Sequence, residues 1–298
     1  MMQDSLFTSL QEAVRHACGE GVSVQRRVQL SGGDINRACR LELSDGRAVF
    51  MKANRREALG FFTAEEAGLA AIRMTDTVRT PEVLAVGTDG DESFLLLEFI
   101  EAGRRTRRAS EELGHALAQM HSADPGGLVS GGRFGFLQDN YIGSGVQINT
   151  PGQTWKEFFI RCRLKPQFER ALSYFDRTER KGIDTFLYRI ERVLTEPARP
   201  SLLHGDLWGG NYMIDREGHP WLIDPAAYVG HAEADLAMTE LFGGFDDAFY
   251  AAYRSAAGID PGYKDRRDLY NLYHLLNHMN LFGVGYLSGI RAVMKRYG

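Results

Sequence analysis

The part of the sequence best suited to do chemistry is an acid and an amide five residues apart, Asp206 and Asn211, with a second acid at Asp224. Transfer of a phosphoryl group to a hydroxyl needs such a set. One carboxylate orients the hydroxyl and accepts its proton, while an amide oxygen and another carboxylate hold Mg²⁺. The spacing H-x-D-x-x-x-x-N, which begins at His204, is typical of this chemistry. We therefore predict that Asp206 is the base and that Asn211 and Asp224 are Mg²⁺ ligands.

The alternative for this segment is a plain strand–turn–strand, in which Asp206 and Asn211 only satisfy backbone groups of the turn. Asp224, however, directly follows the apolar run Trp221-Leu222-Ile223. The second acid thus stands at the end of the next short strand, and that order favours the chemical interpretation.

Nucleotide-binding residues are expected in the first third of the chain. Lys52 ends a short apolar run and is suited to contact the α- and β-phosphates of ATP. A glutamate on the following helix must hold the lysine, and both Glu65 and Glu66 are available. We favour Glu66, because it precedes the small pair Ala67-Gly68. A lysine and a glutamate on the surface are the alternative.

Two glycines and a connecting segment complete the predicted ATP site. Gly32 and Gly33 let backbone N–H groups approach phosphate oxygens, although an ordinary hairpin turn has the same appearance. The strand that reaches Phe99 leads into the connector between the two halves of the chain. There an adenine would find the Glu98 carbonyl and the Ile100 N–H.

Hydrophobic periodicity indicates the elements that must position these residues. Short strands and one long helix, Ala58–Arg73, fill the first hundred residues, and helices dominate from residue 109 onward. One short β section, between about 201 and 223, interrupts the helices and carries the acids. We predict an α+β bilobal fold, with a β-rich ATP-covering lobe over 1–100 and a mostly helical catalytic and substrate-binding lobe over 101–298. Clefts between lobes are common ligand sites.

Composition sets limits on partners and location. The 298 residues carry a net charge of −4 with a pI of about 6.1, which gives no reason to expect nucleic acid or an anionic membrane as partner. Three scattered cysteines without C-x-x-C predict neither a disulfide framework nor a zinc cluster. The N-terminus does not look like a signal peptide, and no apolar run approaches the roughly 20 residues that span a bilayer. We expect a cytoplasmic monomer.

The block LHGDLWGGN over Leu203–Asn211, followed by Ile223-Asp224-Pro225-Ala226, resembles the fructosamine (ketosamine) kinase family. These enzymes are relatives of aminoglycoside and choline kinases with a protein-kinase-like fold. The resemblance covers nearly the whole chain, and HGDLWGGN is its specific part. Further segments agree with it, among them Glu66-Ala67-Gly68-Leu69, Asn140-Tyr141-Ile142-Gly143, Phe242-Gly243-Gly244-Phe245 and Leu276-Asn277-His278.

The resemblance implies phosphorylation of the sugar 3-hydroxyl of a ketosamine, free or attached to a protein, with ATP and Mg²⁺. The product breaks down and frees the amine, so the activity is a deglycation. Bacterial-type members are associated with ribulosamines and erythrulosamines more than with fructosamines.

Several further residues complete the list of predicted site residues. Trp208 stands two residues beyond the base, where an indole face is expected to pack on the sugar, with loop anchoring as the alternative. His204 and His278 are the other predicted substrate contacts, although His278 also suits a packed helix. Asp235 is expected on a buried helix face, bonding loop backbone near Asp206.

Two other functions stay open: a phosphotransferase for another small alcohol, such as an aminoglycoside or choline, and a nucleotide-binding module without catalysis. The chain departs from its relatives at Asp34, where many carry a cysteine in the glycine-rich loop. It departs from protein kinases as well, because only Pro225–His231 separates Asp224 from the helix expected at Glu233. That stretch is too short for a regulatory activation loop.

Overall fold

The computed structural model describes residues 6–30 and 36–298. Its helices, interrupted by short 3₁₀ and π turns, are Leu10–Cys18 (α1), Leu59–Arg73 (α2), Arg107–Ser122 (α3), Trp155–Phe159 (α4), Lys165–Ala171 (α5), Arg177–Ile190 (α6), Glu233–Leu241 (α7), Asp247–Ala257 (α8), Tyr263–Phe282 (α9) and Leu287–Tyr297 (α10). Its strands are Val24–Gln29 (β1), Arg37–Leu43 (β2), Ala48–Arg55 (β3), Val83–Asp89 (β4), Glu92–Glu98 (β5), Asn140–Ile142 (β6), Gly145–Gln147 (β7), Ser201–Leu203 (β8), Tyr212–Ile214 (β9), Pro220–Leu222 (β10) and Tyr228–Gly230 (β11).

The first five strands form one antiparallel sheet in the order β1-β2-β3-β5-β4. Side chains alternate between its faces. Met51 and Leu96 pack on the face that α1 covers, while Leu95 packs with Phe62 of α2 on the other face. Lys52 follows Met51 in β3, and its side chain therefore points to the face that α2 covers.

The rest of the chain packs around one large apolar core in which α3, α4, α7 and α9 meet. Two small antiparallel strand pairs, β8 with β11 and β9 with β10, lie against this core. The residues of these strands are buried or half-buried, so the loops that connect the strands are held in place at the edge of the core. Among the described residues, no helix is long and apolar enough to cross a membrane.

The predicted succession of a β-rich part with one long helix and a mainly helical part is the one observed, and the boundary proposed after residue 100 falls in the connector between β5 and α3. Residues 154–175, whose pattern predicts a helix kinked at Pro166, form two helices separated by a π turn at Ile160–Leu164, just before Pro166. The strands β6, β7 and β11 were not predicted. Each has three residues that include Asn, Gln or Gly, and so lacks the short apolar run that marked the equally short β8, β9 and β10.

Candidate active site

The loop between β8 and β9 carries Asp206 and Asn211 side by side. The Asn211 Nδ2 donates to the Asp206 backbone carbonyl at 2.8 Å and to the Asp206 carboxylate at 3.0 Å. Asn211 is buried and Asp206 is half-buried. Because Nδ2 is occupied by Asp206, the Oδ1 atom of Asn211 is left as an acceptor for another group.

Asp206 has the electrostatics of a base at neutral pH. Burial raises the pKa of its carboxyl to about 7, the hydrogen bond from Asn211 opposes that rise, and the charges of Asp224 and Asp235 add to it. A carboxyl that titrates near the working pH can take a proton and release it again.

A buried acid supports this loop from below, as the sequence suggested for Asp235. Its carboxylate accepts from the backbone N–H groups of His204 at 2.7 Å and Gly205 at 2.9 Å, and lies 3.1 Å from His121 Nε2. The other ring nitrogen of His121 is 2.8 Å from the Tyr253 hydroxyl. Helices α3, α7 and α8 thus all contribute to the position of the loop.

The prediction that His204 contacts substrate is wrong. Its side chain is fully buried, and both ring nitrogens are used inside the protein. Nε2 donates to the Ile223 carbonyl at 2.9 Å, and Nδ1 accepts from the Asp206 N–H at 3.3 Å. His204 ties the Asp206 loop to the residue before Asp224, so its role is to hold the two acids in register.

Strand pairing brings Asp224 to the same edge. The β9–β10 pair continues with a bond from the Ile223 N–H to the Asn211 carbonyl at 3.0 Å, which places Asp224 next to the loop. Asp224 has φ 55°, in the left-handed region that a non-glycine residue rarely adopts. Its side chain is 45% exposed. Such backbone conformations are concentrated at functional sites.

Lys52 reaches this edge from the first sheet. Its Nζ forms one ion pair with Glu65 at 2.6 Å and a second, short one with Asp224. Burial disfavours the ammonium charge, but the two carboxylates outweigh it and raise the pKa of Lys52 above its ordinary value. Glu65 shares one cation with Asp224, and burial with the nearby Asp224 charge raises its pKa despite Lys52.

The choice of Glu66 as the partner of Lys52 is therefore wrong, and Glu65 takes that place. Residues three or four apart share a helix face, whereas neighbours differ by about 100°. Glu65 stands three residues before Gly68, where an added β-carbon would lie 3.1 Å from Pro225, whereas Glu66 stands only two before it. The face of α2 that packs closely is the one that includes Glu65.

Trp208 is the most exposed large side chain of the loop between β8 and β9, with 41% of its surface accessible. Its indole covers Gly210, where a β-carbon would lie 2.3 Å from the ring. A β-carbon on Gly209 would lie 2.8 Å from Gly244 of the α7–α8 connection. Arg105 donates to the Gly209 carbonyl at 2.6 Å and to the Gly244 carbonyl at 3.2 Å. The two glycines let the loop pack flat while the indole faces outward; its contact with a sugar stays a prediction.

His278 lies in an aromatic cluster on α9. Its ring is 4.6 Å from that of Phe242, 5.5 Å from Phe282 and 5.3 Å from Tyr286. Nδ1 donates to the His274 carbonyl at 2.9 Å, and burial lowers the pKa of the imidazole. Phe242 precedes Gly243 and Gly244, which lie against Gly209, so the cluster borders the loop between β8 and β9. A role of His278 in substrate binding stays a prediction.

The remaining predicted ATP contacts are only partly described. Gly32 and Gly33 lie outside the described residues. Glu98 ends β5 opposite Val49, and Phe99 and Ile100 follow as half-buried connector with the Arg40 guanidinium 5.0 Å from the Phe99 ring. Their contact with adenine stays a prediction.

Comparison with known proteins agrees with this geometry. The fructosamine kinase family model matches residues 6–297. A chloroplastic protein-ribulosamine 3-kinase of Arabidopsis thaliana is 40% identical over 287 residues, which cover 94% of this chain and 84% of the relative. The chain belongs to the fructosamine kinase family. The kinase predicted from the HGDLWGGN block is thereby confirmed at the level of the family.

Solved structures place the fold of this fructosamine kinase family member. A Haemophilus somnus protein assigned as a fructosamine-3-kinase superposes with a TM-score of 0.85 at 25% identity, covering 98% of this chain and 97% of that one. An aminoglycoside phosphotransferase with ADP and hygromycin B shares the fold at 18% identity, with a TM-score of 0.62 over 98% and 99% of the two chains. The predicted α+β, protein-kinase-like fold is confirmed.

A second cluster of possible metal ligands lies outside the cleft, where Asp215, Glu217 and His219 share the β9–β10 turn. The Asp215 carboxylate already accepts from two backbone N–H groups of its own turn and from the Trp221 indole at 2.8 Å. The turn itself accounts for this cluster.

Sequence reasoning considered Glu65 but preferred Glu66. It missed Arg105 and the roles of the two amides Asn140 and Gln147, which hold the segment after Asp224. Arg105 stands in a stretch with four arginines, and nothing in the pattern marks it out. The segment that begins at Asn140 carried a family signal but no assigned role.

Proposed function

We propose that this member of the fructosamine kinase family transfers the γ-phosphoryl group of ATP, with Mg²⁺, to the 3-hydroxyl of the sugar in a ketosamine. The observation that carries the proposal is the juxtaposition of Asp206, Asn211, Asp224 and Lys52 at one edge, with a pKa of about 7 for Asp206. A base, two oxygen ligands and a phosphate-binding cation are what phosphoryl transfer to an alcohol requires.

The residues fit Mg²⁺ by their donor chemistry. Mg²⁺ takes oxygen ligands, and few of them come from the protein. Asn211 retains its Oδ1 because Asp206 occupies its Nδ2, and Asp224 exposes a carboxylate beside it. When bound, Mg²⁺ neutralises charge on the phosphates. We propose Asn211 and Asp224 as its protein ligands.

The protein's own groups then have separate tasks. Asp206 orients the sugar hydroxyl and takes its proton, because its carboxyl is accessible in part and titrates near neutrality. Lys52, held between Glu65 and Asp224, supplies a fixed positive charge for the phosphates of ATP. Trp208 offers an exposed aromatic face to the sugar. Breakdown of the phosphorylated product then releases the amine.

We propose ribulosamines and erythrulosamines as better substrates than fructosamines. The Arabidopsis relative at 40% identity is named a protein-ribulosamine 3-kinase, which supports a ketosamine substrate, including one attached to a protein. The cytoplasmic location and the monomeric state that the sequence suggested stay predictions.

A substrate panel tests the proposal. ADP release is measured with ATP, Mg²⁺ and ribuloselysine, erythruloselysine or fructoselysine, with an aminoglycoside and choline as competing acceptors. We expect turnover of the ketosamines, fastest with the shorter sugars, and none of the competitors. Turnover of a competitor with no activity on any ketosamine would overturn the proposal. Trp208→Ala is expected to raise the KM for ketosamine about tenfold with the KM for ATP unchanged, and Trp208→Phe to restore most of the affinity.

A further inference from the structure

The segment that follows Asp224 is held from two sides. On one side β11 pairs with β8, and the Ala226 N–H donates to the His204 carbonyl at 2.9 Å. On the other side lies the long connection between α3 and β8, in which Gly135 forms a β-bridge with Val229. Regulated kinases have a mobile activation loop at this point, which phosphorylation must order.

Two buried amides of the β6–β7 hairpin make the contacts on that second side. Gln147 Nε2 donates to the Ala226 carbonyl at 2.9 Å, and Asn140 Nδ2 donates to the Ala227 carbonyl at 2.8 Å. The two side chains also bond each other, from Gln147 Nε2 to Asn140 Oδ1 at 2.8 Å. They are 1% and 3% exposed.

The amides are themselves fixed from behind. The Tyr273 hydroxyl of α9 donates to Gln147 Oε1 at 2.8 Å, and Asn149 Nδ2 donates to Asn140 Oδ1 at 2.9 Å. Each carbonyl oxygen of the two amides is therefore engaged, which fixes their orientation and directs both Nδ2 and Nε2 to the strand. A fully satisfied buried network of this kind is rigid.

The same hairpin touches α2, the helix that carries Glu65. The Tyr141 ring packs edge-on against Phe61 with centroids 4.1 Å apart, and a β-carbon at Gly60 would lie 3.2 Å from the Tyr141 hydroxyl. Further along α2, Gly68 packs on Pro225. The hairpin, the helix and the segment after Asp224 thus form one closed set of contacts.

We propose that Asn140 and Gln147 are positioning residues for Asp224. Asp224 has a half-exposed side chain and an unfavourable φ of 55°, so its place depends on its neighbours. The amides fix the backbone two and three residues later and so keep the carboxylate where metal and nucleotide bind together. An order that other kinases gain by phosphorylation is built into this fold. The inference rests on the proposed role of Asp224 as a metal ligand.

Nucleotide binding with and without metal separates positioning from a purely structural role. The affinity for ADP is measured by calorimetry with Mg²⁺ and with EDTA, together with the melting temperature. Gln147→Met keeps the length of the side chain and removes both hydrogen-bonding groups. We expect about a tenfold loss of ADP affinity with Mg²⁺ and less than about a twofold change without metal.

Gln167→Met is the matched control. Gln167 is a glutamine of equal burial, at 2% exposed, and its side chain bonds Asn277 at 3.2 Å and Asn280 at 2.8 Å, away from Asp224. We expect it to lower the melting temperature as Gln147→Met does and to leave the Mg²⁺ effect on ADP affinity intact. Asn140→Asp is the second variant, since it keeps an acceptor oxygen and replaces the donor to the Ala227 carbonyl by a carboxylate oxygen that repels this carbonyl; we expect a loss in the same direction.

Equal Mg²⁺ effects in Gln147→Met, Gln167→Met and the unmodified protein would overturn the inference. Asp224→Ala distinguishes this failure from failure of the proposed function. A lost Mg²⁺ effect in Asp224→Ala alone would leave the metal site standing and refute the positioning role. A retained Mg²⁺ effect in Asp224→Ala would refute both.

Discussion

Two carboxylates flank the same loop and behave in opposite ways. Asp206, on the side of the cleft, is half-buried and has one side-chain donor, Asn211, and burial raises its pKa to about 7. Asp235, on the core side, is buried more deeply, but donors surround it. The side chain of His121 and the N–H groups of His204 and Gly205 overcome burial and hold the pKa of Asp235 below its ordinary value.

The difference shows that the supply of donors, more than depth, decides what a buried acid can do. Asp235 is held as an anion and can only support backbone. Asp206 has only the Asn211 side chain as a donor, so the pKa of its carboxyl is raised and the carboxylate binds a proton more readily, which suits a base. Asp235 bonds the backbone of His204 and Gly205, directly before Asp206, so the acid that supports the loop and the acid proposed as the base lie on its two sides.

The largest expected effect is that of a substitution at Asp206, the acid on the side of the cleft. Asp206→Asn removes the proton acceptor and keeps the shape, so kcat with a ketosamine should fall by at least about 10³-fold. ATP affinity should change little, because the phosphate contacts proposed for Lys52 are intact. Steady-state ADP release and equilibrium ATP binding measure the two quantities. Activity retained within tenfold would remove Asp206 from the role of base.

On the core side, Asp235→Asn should act on stability. An amide in that place turns an N–H group toward backbone donors that need an acceptor, and we expect a loss of about 3 kcal/mol in the free energy of unfolding. Urea denaturation measures it, with Asp184→Asn on the exposed face of α6 as the control. A change below about 0.5 kcal/mol would mean that the loop does not depend on this acid.

A smaller effect is expected at Glu65, a third acid, which forms an ion pair with Lys52. Glu65→Gln removes one of the two carboxylates that hold Lys52, and the KM for ATP should rise about tenfold, with the KM for ketosamine within about twofold. Glu66→Gln tests the assignment made from sequence. A larger rise in Glu66→Gln than in Glu65→Gln would reverse the assignment reached from the geometry.

The smallest effect is a difference in how stability varies with pH. Asp206 keeps its proton in the folded chain up to about pH 7 but loses it near pH 4 when unfolded, so its contribution becomes less favourable as pH rises between these values. Asp206→Asn should therefore raise the melting temperature of the ligand-free protein at pH 8 by a few degrees, and have little effect at pH 4.

Asp235 should behave in the opposite sense. Its folded pKa is lowered, so its stabilisation is present above the unfolded value and is lost as pH falls through the folded one. Melting curves between pH 3 and pH 8 compare the two variants. Parallel curves for Asp206→Asn and Asp235→Asn would contradict the contrast between the two acids.

Much of the candidate site was predictable because its parts are local. Asp206 and Asn211 are five residues apart, and Asp224 ends the next strand, so short-range pattern alone places them near one another. Lys52 was predictable for the same reason, as an ion at the end of an apolar run. The fold class followed from the succession of strands and helices along the chain.

The two wrong predictions, for Glu66 and His204, concerned the direction in which a side chain points. The choice of Glu66 treated sequence neighbours as if they shared a helix face, whereas the face toward Lys52 is set by Phe62 and Gly68 packing on the sheet and on Pro225. His204, two residues before Asp206, was predicted to contact substrate. Burial and the bond to Ile223 across the strand pairs, 19 residues away, decide otherwise.

The sequence by itself indicated the chemistry of this protein: the acids, the amide and the lysine stand in the order expected for phosphoryl transfer to an alcohol, and the HGDLWGGN block identifies the family. Only the tertiary structure decided the pKa values of the acids and the hydrogen-bond and ion-pair partners of the site residues. The pKa values of Asp206 and Asp235, the partner of Lys52 and the contacts of Asn140 and Gln147 with the segment after Asp224 depend on distant elements. The reason is physical, since burial and hydrogen bonds depend on positions in space, and no pattern along the chain records them.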